Sequence, residues 1–201
     1  QSRVVEIAMM PGDRVVDDEL CEALTTNLRR IEEEAYRCKE ITEKLLDFSR
    51  LSEVRRASTD LVELVEDVVS MVGTVGEYRC KTLRIHNSQR VVAYVNPQEI
   101  RQVVLNLLTN ALESVDCDGA VDVHIITDDT CASVIVKDNG CGMSGEVLRH
   151  LFEPFFTRRR DGTGTGLGLS ITYRIVSQHG GSLIASSEGE GRGSQMEMLL
   201  P

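Results

Sequence analysis

Gly162-Thr163-Gly164-Thr165-Gly166-Leu167-Gly168-Leu169-Ser170 is a run in which four glycines alternate with small or apolar residues. The residues that follow it, 171 to 178, read as a helix. Such a loop leaves backbone N–H groups uncovered at a helix N-terminus, where the helix dipole also favours negative charge. In outline that is a phosphate cradle. No Lys-Ser/Thr pair follows, which excludes a Walker A loop, and Leu167 and Leu169 stand where G-x-G-x-x-G needs its third glycine. Glycine-rich turns are common, so the run acquires meaning only from its company.

Upstream, Asn96-Pro97-Gln98-Glu99 is a strong helix start, with Asn as N-cap, Pro at the first helical position and Glu at the third. The helix it opens, to about residue 115, has an apolar face of Val103, Val104, Leu107, Leu108 and Ala111. Gln102, Asn106, Asn110 and Glu113, spaced 4, 4 and 3 apart, form an opposite stripe. A solvated polar face accounts for Gln102 and Glu113. Two mid-helix asparagines are harder to explain that way, because Asn is a poor helix former. Its amide offers an oxygen to Mg²⁺ and a donor to phosphate without adding negative charge.

Asp138-Asn139-Gly140-Cys141-Gly142-Met143 ends a strand in a tight turn. Alternation puts Val134, Val136 and Asp138 on one side, so a carboxylate points inward and needs a partner. The exocyclic amine of adenine would serve, and the glycines would let a planar base approach the backbone. A plain Asx turn is the competing reading. Phe152-Glu153-Pro154-Phe155-Phe156-Thr157 holds three of the four phenylalanines. It reads either as packing or as the anchor of a lid that carries Arg158, Arg159 and Arg160; the role of those arginines stays open.

The 201 residues suit one or two domains. A net charge of −10 argues against sequence-independent nucleic-acid binding and against docking on anionic lipid. Six scattered cysteines, with no C-x-x-C and no histidine at metal spacing, point to reduced thiols in a cytosolic protein. No stretch approaches the roughly 18 apolar residues of a membrane span. The chain begins at Gln1, not Met, so a fragment of a longer parent, which a membrane could still anchor, is expected.

From about Asp17 a long helix is expected, with Leu24, Leu28, Ile31, Ala35 and Cys38 in a 4-3-4-3 spacing that continues through Ile41, Leu45 and Phe48. At about 50 Å it cannot bury its stripe alone and needs a partner helix or a second copy. Residues 52 to 58 read as a linker. A second helix follows, capped by Thr59 or Asp60, with Leu61, Leu64, Val65, Val68, Val69 and Val72 inward. Strands are expected at 82–86, 91–95, 121–127, 132–136, 182–186 and 195–200. The result is an α+β fold: a two-layer sandwich with a mixed sheet and helices on one face, preceded by a long bundle or coiled-coil helix. The expected domains are 1–57 and 58–201.

In this order the segments 102–111, 138–142, 152–157 and 164–169 resemble the N, G1, F and G2 boxes of sensor histidine kinases, whose catalytic domain has the Bergerat ATP-binding fold. The resemblance covers about residues 59–200, and residues 41–51 resemble the second helix of the kinase dimerisation domain. It implies that Asn106 and Asn110 handle Mg²⁺ and the phosphates, and that Asp138 takes the adenine amine with Gly140 and Gly142 at the base-side turn. It also implies that Gly164, Gly166 and Gly168, together with Thr157, Thr165 and Leu167, line the triphosphate. ATP and Mg²⁺ follow as cofactors. A response-regulator receiver domain and a second copy of the chain, joined through the N-terminal helix, follow as partners, in a cytoplasmic setting.

The sequence departs from the family at Glu113, where many members carry Lys or Arg. The family's phosphoacceptor histidine, beside an acidic residue in the first dimerisation helix, has no counterpart: His86, His124, His150 and His179 all lie in the nucleotide half. The chain is therefore expected to bind ATP without phosphorylating itself. Another ATPase of the same fold and a non-catalytic nucleotide-binding signalling module are the alternatives.

Overall fold

The computed structural model of the protein describes residues 22–32, 35, 56–87, 89–128, 130–157 and 165–201. The chain divides into two units, Gln1–Ser49 and Arg50–Pro201. In the first, residues 22–32 and 35 are helical, as the heptad-like spacing predicts. Leu24 is half-buried, whereas Leu28 and Ile31 are 64% and 65% exposed. The expected helix start at residue 17, its continuation through Cys38, Ile41, Leu45 and Phe48, and residues 52–55 lie outside the described residues.

The second unit runs β1 (Ala57–Asp60), α1 (Leu61–Gly73), β2 (Thr82–Asn87), β3 (Val92–Val95), α2 (Pro97–Ser114), β4 (Ala120–Thr127), β5 (Ala132–Asp138), α3 (Gly145–His150), α4 (Gly168–Gln178), β6 (Ser182–Ser186) and β7 (Ser194–Leu200). Five strands make a mixed sheet in the order β2-β4-β5-β7-β6. Only its β2–β4 pair is parallel. The two neighbouring runs β2 and β3 do not pair; β3 instead joins β1 in a two-stranded antiparallel sheet. Residues 57 and 58, read from sequence as linker, open β1 there.

Alternation decides which face is covered. Val121, Val123 and Ile125 on β4, Val134 and Val136 on β5, and Met196, Met198 and Leu200 on β7 are all buried. Against them lie Ile100, Val103, Val104, Leu107 and Leu108 of α2 and Ile175 and Val176 of α4, while α1, with Leu61, Leu64, Val65 and Val68 buried, packs on α2 and β2. Fully burying one such side chain contributes about 1.5–3 kcal/mol. Asp60 caps α1, its Oδ1 accepting from the amides of Val62 (3.0 Å) and Glu63 (3.4 Å).

One expectation is overturned. Cys80 and Cys117 form a disulfide, where the scattered cysteines had predicted reduced thiols throughout. The parallel register explains it: Thr82 pairs with Ala120, so the residues just before β2 and β4 meet. Cys131 and Cys141 are free, and Cys21 and Cys38 lie outside the described residues.

Candidate functional site

The site is built along α2. Asn96 Oδ1 accepts from the Gln98 amide at 3.0 Å and starts the helix beside Pro97. Gln102 and Glu113 are exposed, while Asn106 and Asn110 are half-buried. Asn106 Nδ2 donates to Thr172 Oγ1 at 2.7 Å, and the Thr172 hydroxyl donates to the Gly168 carbonyl at 3.0 Å. That relay turns Asn106 Oδ1 toward Gly168, where a Cβ would come within 2.6 Å of it. Asn110 Nδ2 is buried and, among the described residues, has no hydrogen-bond partner. A buried amide donor left unmade costs about 1–3 kcal/mol, so this nitrogen needs an acceptor that the described residues do not supply.

α4 begins at Gly168, three residues earlier than the sequence reading placed it. Its N-cap, Leu167, is buried and provides no side-chain cap, so the first-turn amides are left for another acceptor. Glycine at the first position lets this terminus close onto Asn106, which is the contact a larger residue would block. The Leu167 amide reaches Thr165 Oγ1 at 3.4 Å. Gly166 accepts from the Phe155 amide at 2.9 Å, tying the Phe-rich segment to the glycine loop. Phe155 holds a left-handed φ of 67° and is 63% exposed. Strain of this kind persists where the surroundings over-determine it. Phe152 stacks on Tyr173 at 5.1 Å between centroids, and Thr157 is exposed. Gly164 and Arg158, Arg159 and Arg160 lie outside the described residues.

At the other end of α2, Asp138 closes β5 with 6% of its surface exposed. Its Oδ1 accepts from the amides of Gly140 (2.9 Å) and Ser194 (3.2 Å), and its Oδ2 accepts from the Ser194 hydroxyl at 2.5 Å. An ionised carboxylate has about four acceptor positions. Among the described residues three are filled, and the one left is on Oδ2. The turn after Asp138 is pinned to α2 by the Cys141 amide, which donates to the Ser114 carbonyl at 3.0 Å. Gly142, at φ 63°, lies so close to the Gly189 carbonyl that no Cβ fits there.

Asn106, Asn110 and the Asp138 turn thus line one side of α2 over about 12 Å of helix, with the α4 terminus at the Asn106 end. Sequence reasoning missed Ser194 and Ser187. Ser194 pairs directly with Asp138 across β5 and β7. The Ser187 hydroxyl accepts from Met143 (2.9 Å) and donates to the Gly193 carbonyl (2.6 Å), joining two loops. The one available signal was the Gly193-Ser194 pair opening the last strand.

A family model described as histidine kinase-, DNA gyrase B-, and HSP90-like ATPase matches residues 95–201. The sensor histidine kinase ZraS of Klebsiella oxytoca is 32% identical over 171 residues, 84% of this chain and 36% of that protein. The signal transduction histidine-protein kinase AtoS of Escherichia coli (strain K12) is 29% identical over 163 residues, 80% of this chain and 26% of that protein. The chain therefore spans between 26% and 36% of the length of these two relatives. Among solved structures, the catalytic domain of histidine kinase ThkA superposes with a TM-score of 0.66 at 25% identity, covering 73% of this chain and 95% of that one. Full-length ShkA in complex with AMPPNP gives a TM-score of 0.75 at 22% identity, over 88% of this chain and 38% of that one. The chain belongs to the histidine kinase-, DNA gyrase B-, and HSP90-like ATPase family, and its second unit is the ATP-binding domain of a sensor histidine kinase.

Proposed function

We propose that this chain binds Mg-ATP along α2 and donates the γ-phosphoryl group to a histidine nitrogen, for relay to an aspartate of a response-regulator receiver domain. The observation that carries the reading is the buried Asn110 amide, which among the described residues has no partner, between a helix terminus with no side-chain cap and a carboxylate with one acceptor position open. Asp138 Oδ2 accepts from the adenine amine, and Ser194 fixes its orientation. Gly140 and Gly142 keep side chains away from the base. Asn110 Nδ2 donates to a phosphate oxygen. The α4 amides, with Gly164, Thr165, Gly166, Leu167 and Gly168, surround the triphosphate, and Thr157 borders them.

Asn106 Oδ1 is the oxygen free to hold Mg²⁺, because Nδ2 is committed to Thr172. When bound, the ion supplies charge neutralisation at the phosphates. The remaining demand on the protein is positioning and electrostatics, since phosphoryl transfer needs little covalent chemistry from it.

The acceptor is a histidine outside this chain. His86 bonds Asp122 at 2.8 Å, His124 stacks on His86, His150 bonds Glu153 at 2.8 Å, and His179 is buried. All four belong to the ATP-binding unit. Exposed Leu28 and Ile31 support pairing of the N-terminal helix with a second copy. No helix among the described residues is long and apolar enough to cross a membrane.

ATP labelled at the γ-phosphate tests the transfer. The chain alone acquires no acid-labile label, while a second polypeptide carrying a helical His-Glu or His-Asp acceptor does. Acid-labile label on this chain, or multiple-turnover release of free phosphate in place of label, would contradict the proposal.

A further inference from the structure

His179 follows the last residue of α4, and its side chain is fully buried. Both ring nitrogens are used. Nδ1 lies 2.8 Å from the Ile175 carbonyl, and Nε2 lies 3.0 Å from the backbone amide of Asn96. A carbonyl can only accept and an amide can only donate, so Nδ1 carries the proton and Nε2 is the acceptor. Asn96 is the N-cap of α2. One imidazole therefore links the C-terminal end of α4 to the N-terminal end of α2.

That link displaces a local one. With Asn at the N-cap and Glu99 at the third helical position, a capping box would give the Asn96 amide to the Glu99 carboxylate. The amide goes to His179 instead. Glu99 Oε2 is left buried, without a hydrogen-bond partner among the described residues, 3.6 Å from Nε2. An apolar side chain would fill this space with no polar group to satisfy, and α2 could then cap itself. What the histidine adds is a connection between two helices.

Both helices carry the phosphate end of the site, and they run antiparallel: Asn106 meets Gly168 and Thr172, while Asn96 meets His179. The Asn106–Thr172 bond is one strut and the His179–Asn96 bond is the other, about 10 Å away along α4. A slip of one residue along a helix is about 1.5 Å of travel with about 100° of rotation, enough to take Gly168 off Asn106. We infer that His179 is a positioning residue for the phosphate end of the nucleotide site, holding the α2–α4 register that sets Asn106 against the first turn of α4. This rests on the proposal above that α2 and α4 hold the triphosphate.

The test compares Mg-ATP with adenosine, which reaches the Asp138 end but has no phosphates. Affinities are measured by calorimetry and chemical-shift titration on the 201-residue chain. His179→Leu fills the space without an acceptor, His179→Gln keeps an acceptor oxygen, and Ile125→Val in the sheet core serves as a destabilised control. Thermal melts restrict the comparison to temperatures at which each variant is folded. The expected result for His179→Leu is a loss of about tenfold for Mg-ATP with adenosine within about twofold, and recovery of most of the loss in His179→Gln. Equal weakening of both ligands in step with the control, or no weakening of Mg-ATP, would overturn the inference. If His179→Leu does not fold, His179→Gln set against His179→Asn, with its shorter acceptor, gives the same discrimination. A wild-type chain that binds neither ligand would overturn the proposed function itself, and this assignment with it.

Discussion

Gly168 and Asn106 face each other so closely that a single added carbon at Gly168 would sit 2.6 Å from Asn106 Oδ1. The neighbour cannot simply swing away, because Asn106 Nδ2 is held by Thr172 at 2.7 Å. Gly168→Ala is therefore expected to push α4 off α2 at the phosphate end. Overpacking of this kind costs about 1–3 kcal/mol, which is roughly 5- to 150-fold in Mg-ATP affinity if it falls on the bound state. Calorimetric titration checks it. An unchanged affinity would show that this contact does not shape the site.

Asp138 and Ser194 make a second pair. Asp138→Asn replaces one carboxylate oxygen with a donor, which opposes either the Ser194 donors or the adenine amine. A loss of about 10- to 150-fold in ATP affinity is expected, the range for a hydrogen bond to a charged group. Ser194→Ala leaves the carboxylate in place but frees its Oδ2 end. A smaller loss, about tenfold or less, is expected in the same titration.

The Cys80–Cys117 disulfide joins residues 37 positions apart. Its constraint on the unfolded chain corresponds to about 4 kcal/mol in the chain-entropy account. Urea unfolding with and without reductant measures this directly, and the reduced chain is expected to unfold at lower urea. Peptide mapping should recover the Cys80–Cys117 linkage. Identical unfolding midpoints would mean that the bond constrains little.

Asp128 lies in the β4–β5 turn. Its Oδ1 accepts from the amides of Thr130 (2.7 Å) and Cys131 (2.8 Å) and from the Thr130 hydroxyl (2.9 Å). The Thr130 amide, then the Cys131 amide, hold this carboxyl down to about 2 from the usual 3.8. A pKa lowered in the folded chain stabilises it above the ordinary value, and that contribution is lost as pH falls through about 2. A side-chain carbon titration by NMR should find Asp128 still ionised at pH 3.8, where an ordinary aspartate is half protonated. A midpoint near 3.8 would remove the turn's claim on it.

Much of this was legible in the sequence because it is local. The Asn96-Pro97 start, the inward sequence Val134, Val136, Asp138 and the asparagine spacing on α2 are each set by helix or strand period, and the fold keeps all of them. What escaped depends on pairing between distant segments. The Cys80–Cys117 disulfide follows from a parallel β2–β4 register, and Ser194 matters only because β7 lies beside β5. His179 reads as a helix end until Asn96 is known to face it. Glycine has low helix propensity, so the sequence does not show that α4 starts at Gly168; tertiary contact with Asn106 overrides that propensity.

Mg-ATP is proposed to lie along α2 between Asp138 and the first turn of α4. Calorimetric titration of the wild-type chain, Asn110→Ala and Asp138→Asn with Mg-ATP tests it most directly. Saturable one-to-one binding by the wild type and a loss of at least about tenfold in each variant are expected, with all three folded. Undiminished affinity in both variants would contradict it.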